Sequence, residues 1–297
     1  MSKENTAVTK KKIKRCKEDV VFDAACFIIL TLVLFVVAYP LYWVIISSIS
    51  APSAVSSGKV LLHPIGFTLK GYAEVFKNDQ VMRGFLNSLI ITFCGVMVNL
   101  IVTLPTSYAL SRSNFSGKKP ITIFYLITMF FGGGLIPTYL VIQRLQMLNT
   151  IWALILPGCL SVYNMIVART FFKSNISEEL YEAAEIDGCT QARFFFQIAL
   201  PLSKAIIAIL VLYYGVGHWN SYFSALVYIS DKAKYPLQLV LRNILITNQT
   251  ALSQTATTAA ARAALQEKQQ LIDVMKYSLI IISSIPVLVC LLYTSPS

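Results

Sequence analysis

The stretch ELYEAAEIDGCTQARFFFQIALP, residues 179 to 201, interrupts a chain that is otherwise mostly apolar. Five of the 14 acidic residues of the chain lie at its start or just before it, at Glu178, Glu179, Glu182, Glu185 and Asp187. Charged side chains are excluded from the apolar interior of a membrane or of a protein core. The stretch is therefore expected to form an exposed loop between two buried apolar segments.

The composition around this loop is that of a membrane protein with several spans. Of 297 residues, 56% are hydrophobic and 13% are charged, and the mean hydropathy is +0.65, which is too apolar for one soluble domain. A spanning helix needs about 20 mostly apolar residues. We predict an all-α polytopic membrane protein with six transmembrane helices, at residues 21–49, 85–111, 120–142, 151–171, 202–229 and 274–293.

The net charge of +11 reflects a basic amino terminus, which carries seven of the 25 Lys and Arg residues within its first 17 positions. This placement indicates orientation in the membrane and not nucleic-acid binding, because positive segments remain in the cytoplasm. The apolar run from Ala24 to Ile49 is too long for a cleaved signal peptide. We predict a basic cytoplasmic tail at 1–20, a transmembrane domain at 21–293 and a short tail at 294–297.

Within the acidic loop the pattern predicts a short helix from about 178 to 187. Ser177 is a suitable N-cap, and Gly188 stands where a left-handed residue would end the helix. Ala183 and Ala184 would give it a smooth side that another surface can approach closely. Docking of a cytoplasmic partner is favoured over a loop lying on the membrane, because anionic lipid head groups would repel five carboxylates.

The loop closely resembles the EAA loop of binding-protein-dependent ABC importer permeases. Residue types, spacing and position between two spans all agree, at Glu182, Ala183, Ala184, Gly188, Ile198, Leu200 and Pro201. The stretches SYALSR (107–112) and VGHWNSYFSALVYI (216–229) are similar to the carbohydrate branch, of the maltose and oligosaccharide type. The resemblance extends over roughly residues 20 to 290.

The resemblance implies a type I ABC importer permease fold in a bacterial plasma (inner) membrane, in contact with lipid. The loop at 172–201 would then hold a coupling helix in a groove of an ATPase subunit, with Pro201 in the first turn of the next span. The implied coupling residues are Glu182, Ala183, Ala184, Asp187, Gly188, Ile198, Leu200 and Pro201. Members of the family usually continue into a basic cytoplasmic tail, so the end at CLLYTSPS suggests a truncated chain.

The partners that the resemblance implies are a second homologous permease, two ATPase subunits and an extracellular solute-binding protein. The chain contains no GxxxxGK[ST] phosphate loop, so ATP and Mg²⁺ are expected to bind to the ATPase and no cofactor to this chain. No catalytic residues, metal site or disulfide framework can be argued from its two histidines and six scattered cysteines. His218 is expected to be structural.

Two weaker patterns suggest a substrate pathway. Three consecutive glycines before Pro137 would interrupt the third span, as in helices that line a cavity, although glycines also serve close helix packing. In the fifth span, aromatic and amide groups could stack on and hydrogen-bond a sugar, or instead mark the membrane interface and bond to a neighbouring helix. The candidate pathway residues are Gly133, Pro137, Trp219, Asn220 and Tyr222.

The sequence thus predicts the transmembrane subunit of an ATP-driven ABC importer for a sugar or oligosaccharide. An ABC permease for a non-sugar solute is the nearest alternative. An ion-coupled secondary transporter would be expected to carry acidic residues within its spans, and Asp23, at the entrance of the first span, is the only acidic residue inside a predicted span. A membrane scaffold that recruits a cytoplasmic partner is a third possibility.

Overall fold

A computed structural model describes residues 17–251 and 259–294, and most of both predicted tails lies outside these ranges. The described residues form helices and connecting turns, without a strand among them, as predicted. The helices are α1 Lys17–Ser48, α2 Pro52–Ser56, α3 Lys70–Lys77, α4 Asp79–Ser111, α5 Lys118–Phe130, α6 Leu135–Arg144, α7 Trp152–Ile155, α8 Val162–Asn175, α9 Glu178–Ile186, α10 Gln191–Phe194, α11 Leu200–Leu202, α12 Lys204–Trp219, α13 Tyr222–Tyr228, α14 Leu237–Ala251 and α15 Ala259–Thr294.

Three of the described segments are long and apolar enough to cross a membrane as single helices: α1, α4 and the part of α15 from Gln269 to Cys290. Three bent pairs also qualify: α5 with α6 at 112°, Trp152–Gly158 with α8 at 52°, and Gln191–Leu202 with α12 at 80°. If each bent pair is one span, the total is the six that the sequence predicts.

The breaks follow from local chemistry. Between α5 and α6 the chain passes through three glycines, and Gly134 has a φ of +83° that glycine adopts without strain. The predicted span at 202–229 is likewise interrupted, because α12 ends at Trp219 and α13 begins only at Tyr222. Asn220 Nδ2 donates to the Val216 carbonyl at 3.0 Å, a side-chain bond that ends the helix.

The central helix of the fold is α4, which begins six residues before the predicted span at 85. Asn78 caps it by accepting from the Gln80 and Val81 amides at 3.0 and 3.3 Å. Its buried side chains face α8, α12 and α14. By contrast, α1 is buried within the chain only at its last residues, Ile46 to Ser48. Its exposed apolar side chains require lipid or another protein around them.

Candidate functional site

The helix α9 has the bounds and caps that the sequence predicts. Ser177 Oγ accepts from the Leu180 amide at 3.3 Å. At the other end Gly188 has a φ of +77°, and its amide donates to Glu185 while the Cys189 amide donates to Ala184, at 3.0 and 2.9 Å. This pair of bonds is the Schellman motif, which ends a helix at a left-handed residue. The start and end of this short helix are therefore fixed by residues next to it in the sequence.

One side of α9 faces its own chain. Tyr181 and Ala184, three residues apart, are buried, and they join a cluster that includes Phe194. The smooth side predicted from Ala183 and Ala184 is thus wrong as stated. Ala184 packs inward, because residues three apart share a helix face and that face covers aromatic rings. Only Ala183 of the pair remains exposed.

The opposite side of α9 faces outward and combines acidic groups with an apolar one. Glu182, Glu185 and Asp187 are exposed there. Ile186 is 87% exposed. The sequence analysis did not single it out, although an isoleucine between two acidic residues near a helix end could have indicated an exposed apolar contact. An almost fully exposed isoleucine beside Ala183 is what a helix that docks on a partner would present.

After α9 the chain turns at Gly188 and continues into α10 and α11. Phe194 and Phe195 are buried, Ile198 and Leu200 are half-buried, and Pro201 is exposed. The prediction that Pro201 lies in the first turn of the next span is wrong: it lies in α11, before an 80° bend at Ser203, and α12 begins at Lys204. Pro201 cannot donate an N–H to the preceding turn, and a widened π-helical stretch, Phe195–Ala199, precedes it.

A second candidate region is a cavity of about 500 Å³ at the ends of α12 and α8. Its walls are rich in hydroxyl, amide and aromatic groups, and its lining includes Ser161, Asn164, Tyr213, His218, Asn220 and Tyr222. Two predicted pathway residues, Asn220 and Tyr222, therefore share one cavity. Gly133 and Pro137 lie at the bend between α5 and α6 and do not line it.

Trp219, the third predicted pathway residue of this region, does not line this cavity. It is 3% exposed, its indole N–H donates to the Ser283 carbonyl at 2.9 Å, and its ring lies edge-on to Phe85 with centroids 5.8 Å apart. Successive helical residues point about 100° apart. Trp219 consequently faces α15 while Asn220 faces the cavity.

Three polar residues that the sequence analysis did not name form a polar seam on α4: Asn99, Thr103 and Ser107. Asn99 Nδ2 donates to the Gly158 carbonyl at 2.8 Å, and Ser107 Oγ donates to Met165 at 3.1 Å. The Thr103 and Tyr214 hydroxyls lie 2.7 Å apart. The seam joins α4 to α8 and α12, the helices that bound the cavity. Asn99, Thr103 and Ser107 are spaced four residues apart in an otherwise apolar helix, and this spacing could have indicated a polar helix face from the sequence.

His218 bonds to the same seam, through Asn99, which accounts for a polar ring inside the fold. Across residues 17–251 and 259–294, no three His, Cys, Asp or Glu side chains lie close enough together to hold a metal ion.

Comparison with known proteins gives close relatives. No family model matches the chain. It is 34% identical to the polygalacturonan/rhamnogalacturonan transport system permease protein YtcP of Bacillus subtilis, over 90% of this chain and 91% of that one. It is 37% identical to the protein LplC of the same organism, over 90% and 88% of the two chains.

A solved structure is similar over almost the whole length. It is the crystal structure of a bacterial ABC transporter involved in the import of the acidic polysaccharide alginate. One of its chains is 26% identical to this one with a TM-score of 0.84, and the match covers 95% of this chain and 98% of that chain.

Proposed function

This chain belongs to the permease subunits of carbohydrate ABC importers, and from that membership we propose that it conducts an oligosaccharide into a bacterial cell with energy from a separate ATPase. The observation that carries the proposal is the outward face of α9. It offers Ala183 and an exposed Ile186 among three carboxylates, on a helix whose other face is buried in its own chain.

The proposed role of α9 is to dock in a groove of the ATPase. The coupling residues of that proposal are Glu182, Ala183, Asp187 and Gly188, with Ile186 as their apolar centre. Ala184, Ile198, Leu200 and Pro201 would act by holding the loop in shape. A basic groove lined by a few apolar side chains is the complementary surface, since it would cover Ile186 and neutralise the acids around it.

The further partners in this proposal are a second permease, which would also cover the exposed side of α1, and an external solute-binding protein. ATP and Mg²⁺ would bind to the ATPase. Residence in the plasma membrane with a cytoplasmic amino terminus is supported by the seven basic residues among the first 17.

The proposed substrate is an oligosaccharide. The support is twofold. YtcP is named for transport of polygalacturonan and rhamnogalacturonan, and the similar solved structure comes from a transporter involved in the import of alginate. The cavity beside α12 presents tyrosines, serines and asparagines. Aromatic faces pack on the apolar side of a pyranose ring, while amides and hydroxyls hydrogen-bond to its hydroxyl groups. Asn220 and Tyr222 are the residues proposed to contact it.

Reconstitution tests this function. The chain would be assembled in proteoliposomes with its second permease, its ATPase and its binding protein, and offered labelled oligogalacturonide or maltotetraose. We expect uptake of one of these sugars that requires ATP, with hydrolysis stimulated by the loaded binding protein. Uptake by the chain alone under an ion gradient would contradict the proposal.

A further inference from the structure

The helix α9 is attached to α4 through Arg112, the C-cap residue that directly follows α4. The Arg112 side chain is only 10% exposed. Its guanidinium carbon lies 3.9 Å from the centroid of the Tyr181 ring, and Nη2 lies 3.4 Å from Glu178 Oε1. Both partners belong to the first turns of α9. A single cationic side chain from the end of a span therefore contacts α9 by stacking and by charge.

Two further rings surround the same guanidinium. Tyr108 of α4 and Phe194 of α10 have centroids 5.8 and 5.9 Å from it, and Tyr181 packs edge-on to Phe194 at 5.3 Å. We call Arg112 with these three rings the arginine cluster. Burial raises the pKa of the Tyr181 phenol, and the Glu185 carboxylate raises it further while Arg112 opposes the shift. The Tyr181 phenol therefore stays neutral at physiological pH. The face of its ring holds the Arg112 guanidinium through a cation–π contact.

The end of α4 is in turn fixed to the neighbouring helices. Lys118 of α5 donates to the Arg112 and Ser113 carbonyls at 3.3 and 2.8 Å. Arg169 of α8 donates to the Leu110 carbonyl at 3.0 Å. The Ser113 hydroxyl also donates to the Glu178 carboxylate. A displacement of the first turn of α9 is therefore resisted at α4 and not absorbed by a loose loop.

The same helix α4 carries the polar seam that holds α8 and α12 beside the cavity. A continuous set of contacts therefore connects α9 to the cavity. It runs from Glu178 and Tyr181 through the arginine cluster to α4, and along α4 to the seam at residues 99 to 107. The partners in the cluster would separate only by leaving a buried guanidinium without its carboxylate and its rings, which is costly.

We propose that Arg112 is the positioning residue that transmits displacement of α9 to α4, and thereby couples the docked ATPase to the helices that bound the cavity. This rests on the proposed docking of α9. The full role uses the planar guanidinium, because lysine could pair with Glu178 but could not stack flat on Tyr181 while doing so.

The test uses the reconstituted transporter with all its subunits, and compares Arg112→Gln and Arg112→Lys with Lys119→Gln, which removes an exposed cation from α5 nearby. We expect Arg112→Gln to retain the ATPase in a pull-down, because the outward face of α9 is unchanged. Sugar taken up per ATP hydrolysed should fall about fivefold or more. Arg112→Lys should recover part of that ratio, and Lys119→Gln should keep it.

A second variant separates transmission from folding. Tyr181→Leu leaves the Arg112–Glu178 pair in place and removes the ring under the guanidinium, so the same ratio should fall. An unchanged ratio in both Arg112→Gln and Tyr181→Leu would overturn the proposal. So would failure of both variants to assemble, which would make the cluster a folding element.

Different pull-down results would contradict the role of Arg112 and the proposed function. Loss of the ATPase from Arg112→Gln in the pull-down would mean that Arg112 acts on docking itself, which overturns transmission and leaves the docking of α9 intact. If instead the wild-type chain does not retain the ATPase through α9 at all, the proposed function is the one that fails.

Discussion

Asn99 Oδ1 and His218 Nε2 lie 2.7 Å apart, and this hydrogen bond joins α4 to α12 in the apolar part of the chain. The other end of the same amide donates to the Gly158 carbonyl at the break before α8. One side chain therefore satisfies polar groups on two neighbouring segments.

Asn99→Leu is expected to lower the free energy of unfolding by about 1–2 kcal/mol, because it leaves the His218 ring nitrogen and the Gly158 carbonyl unpaired. Thermal unfolding in detergent measures the change. Thr106→Val is the matched control, since the Thr106 hydroxyl bonds only to the Val102 carbonyl of its own helix. Equal stability of the two variants would show that the Asn99 bonds contribute nothing.

The His218 ring is also the reason for a glycine at position 95. A Cβ at Gly95 would lie 2.5 Å from two atoms of that ring. Gly95→Ala should cost about 1–3 kcal/mol through overpacking, despite the better helix propensity of alanine. Gly217→Ala is the control, because no atom lies within 4 Å of a Cβ built there. It should leave the unfolding midpoint unchanged or raise it, and a fall as large as that of Gly95→Ala would refute the packing argument.

Trp219 and Tyr222 should respond differently to substitution. Trp219→Phe removes the bond to the Ser283 carbonyl and is expected to lower stability by about 1 kcal/mol, with the sugar concentration for half-maximal uptake unchanged. Tyr222→Ala should raise that concentration about tenfold through loss of a stacking face. The reverse pattern in the uptake assay would restore Trp219 to the pathway and remove Tyr222 from it.

Ala183→Trp should weaken retention of the ATPase about tenfold or more, equivalent to about 1.4 kcal/mol, because a large side chain would stand beside Ile186 on the docking face. Pull-down of the ATPase with the tagged chain measures it. Ser116→Trp places the same side chain on an exposed residue of the adjacent loop between α4 and α5, and it should bind the ATPase normally. An unaltered pull-down with Ala183→Trp would argue against docking through this face.

Gly188→Val is expected to uncouple ATP hydrolysis from uptake. No atom lies within 4 Å of a Cβ at this position, so the substitution acts through the backbone, whose φ of +77° costs a β-branched residue about 1–2 kcal/mol. Gly188→Asn is the control, since asparagine tolerates this conformation and should restore coupling. Normal uptake per ATP in Gly188→Val would count against a role for the capped helix.

The features that the sequence alone determined are those set by near neighbours along the chain. Apolar runs specify how many segments can enter a membrane, because each must satisfy its own backbone hydrogen bonds. Ser177 and Gly188 specify where α9 begins and ends, because a cap acts within three or four residues. The three glycines before Leu135 likewise predict a break in the third span, though not its angle of 112°.

Tertiary structure alone decided which face of each helix is covered. Trp219 turns toward α15, Ala184 turns into its own chain, and Arg112 meets Glu178, a residue 66 positions away. In a helix that is apolar all round, periodicity cannot tell a lipid-facing side from one that packs on a neighbour. Such contacts depend on how whole helices pack together. That packing is set by the shapes of side chains that lie far apart in the sequence.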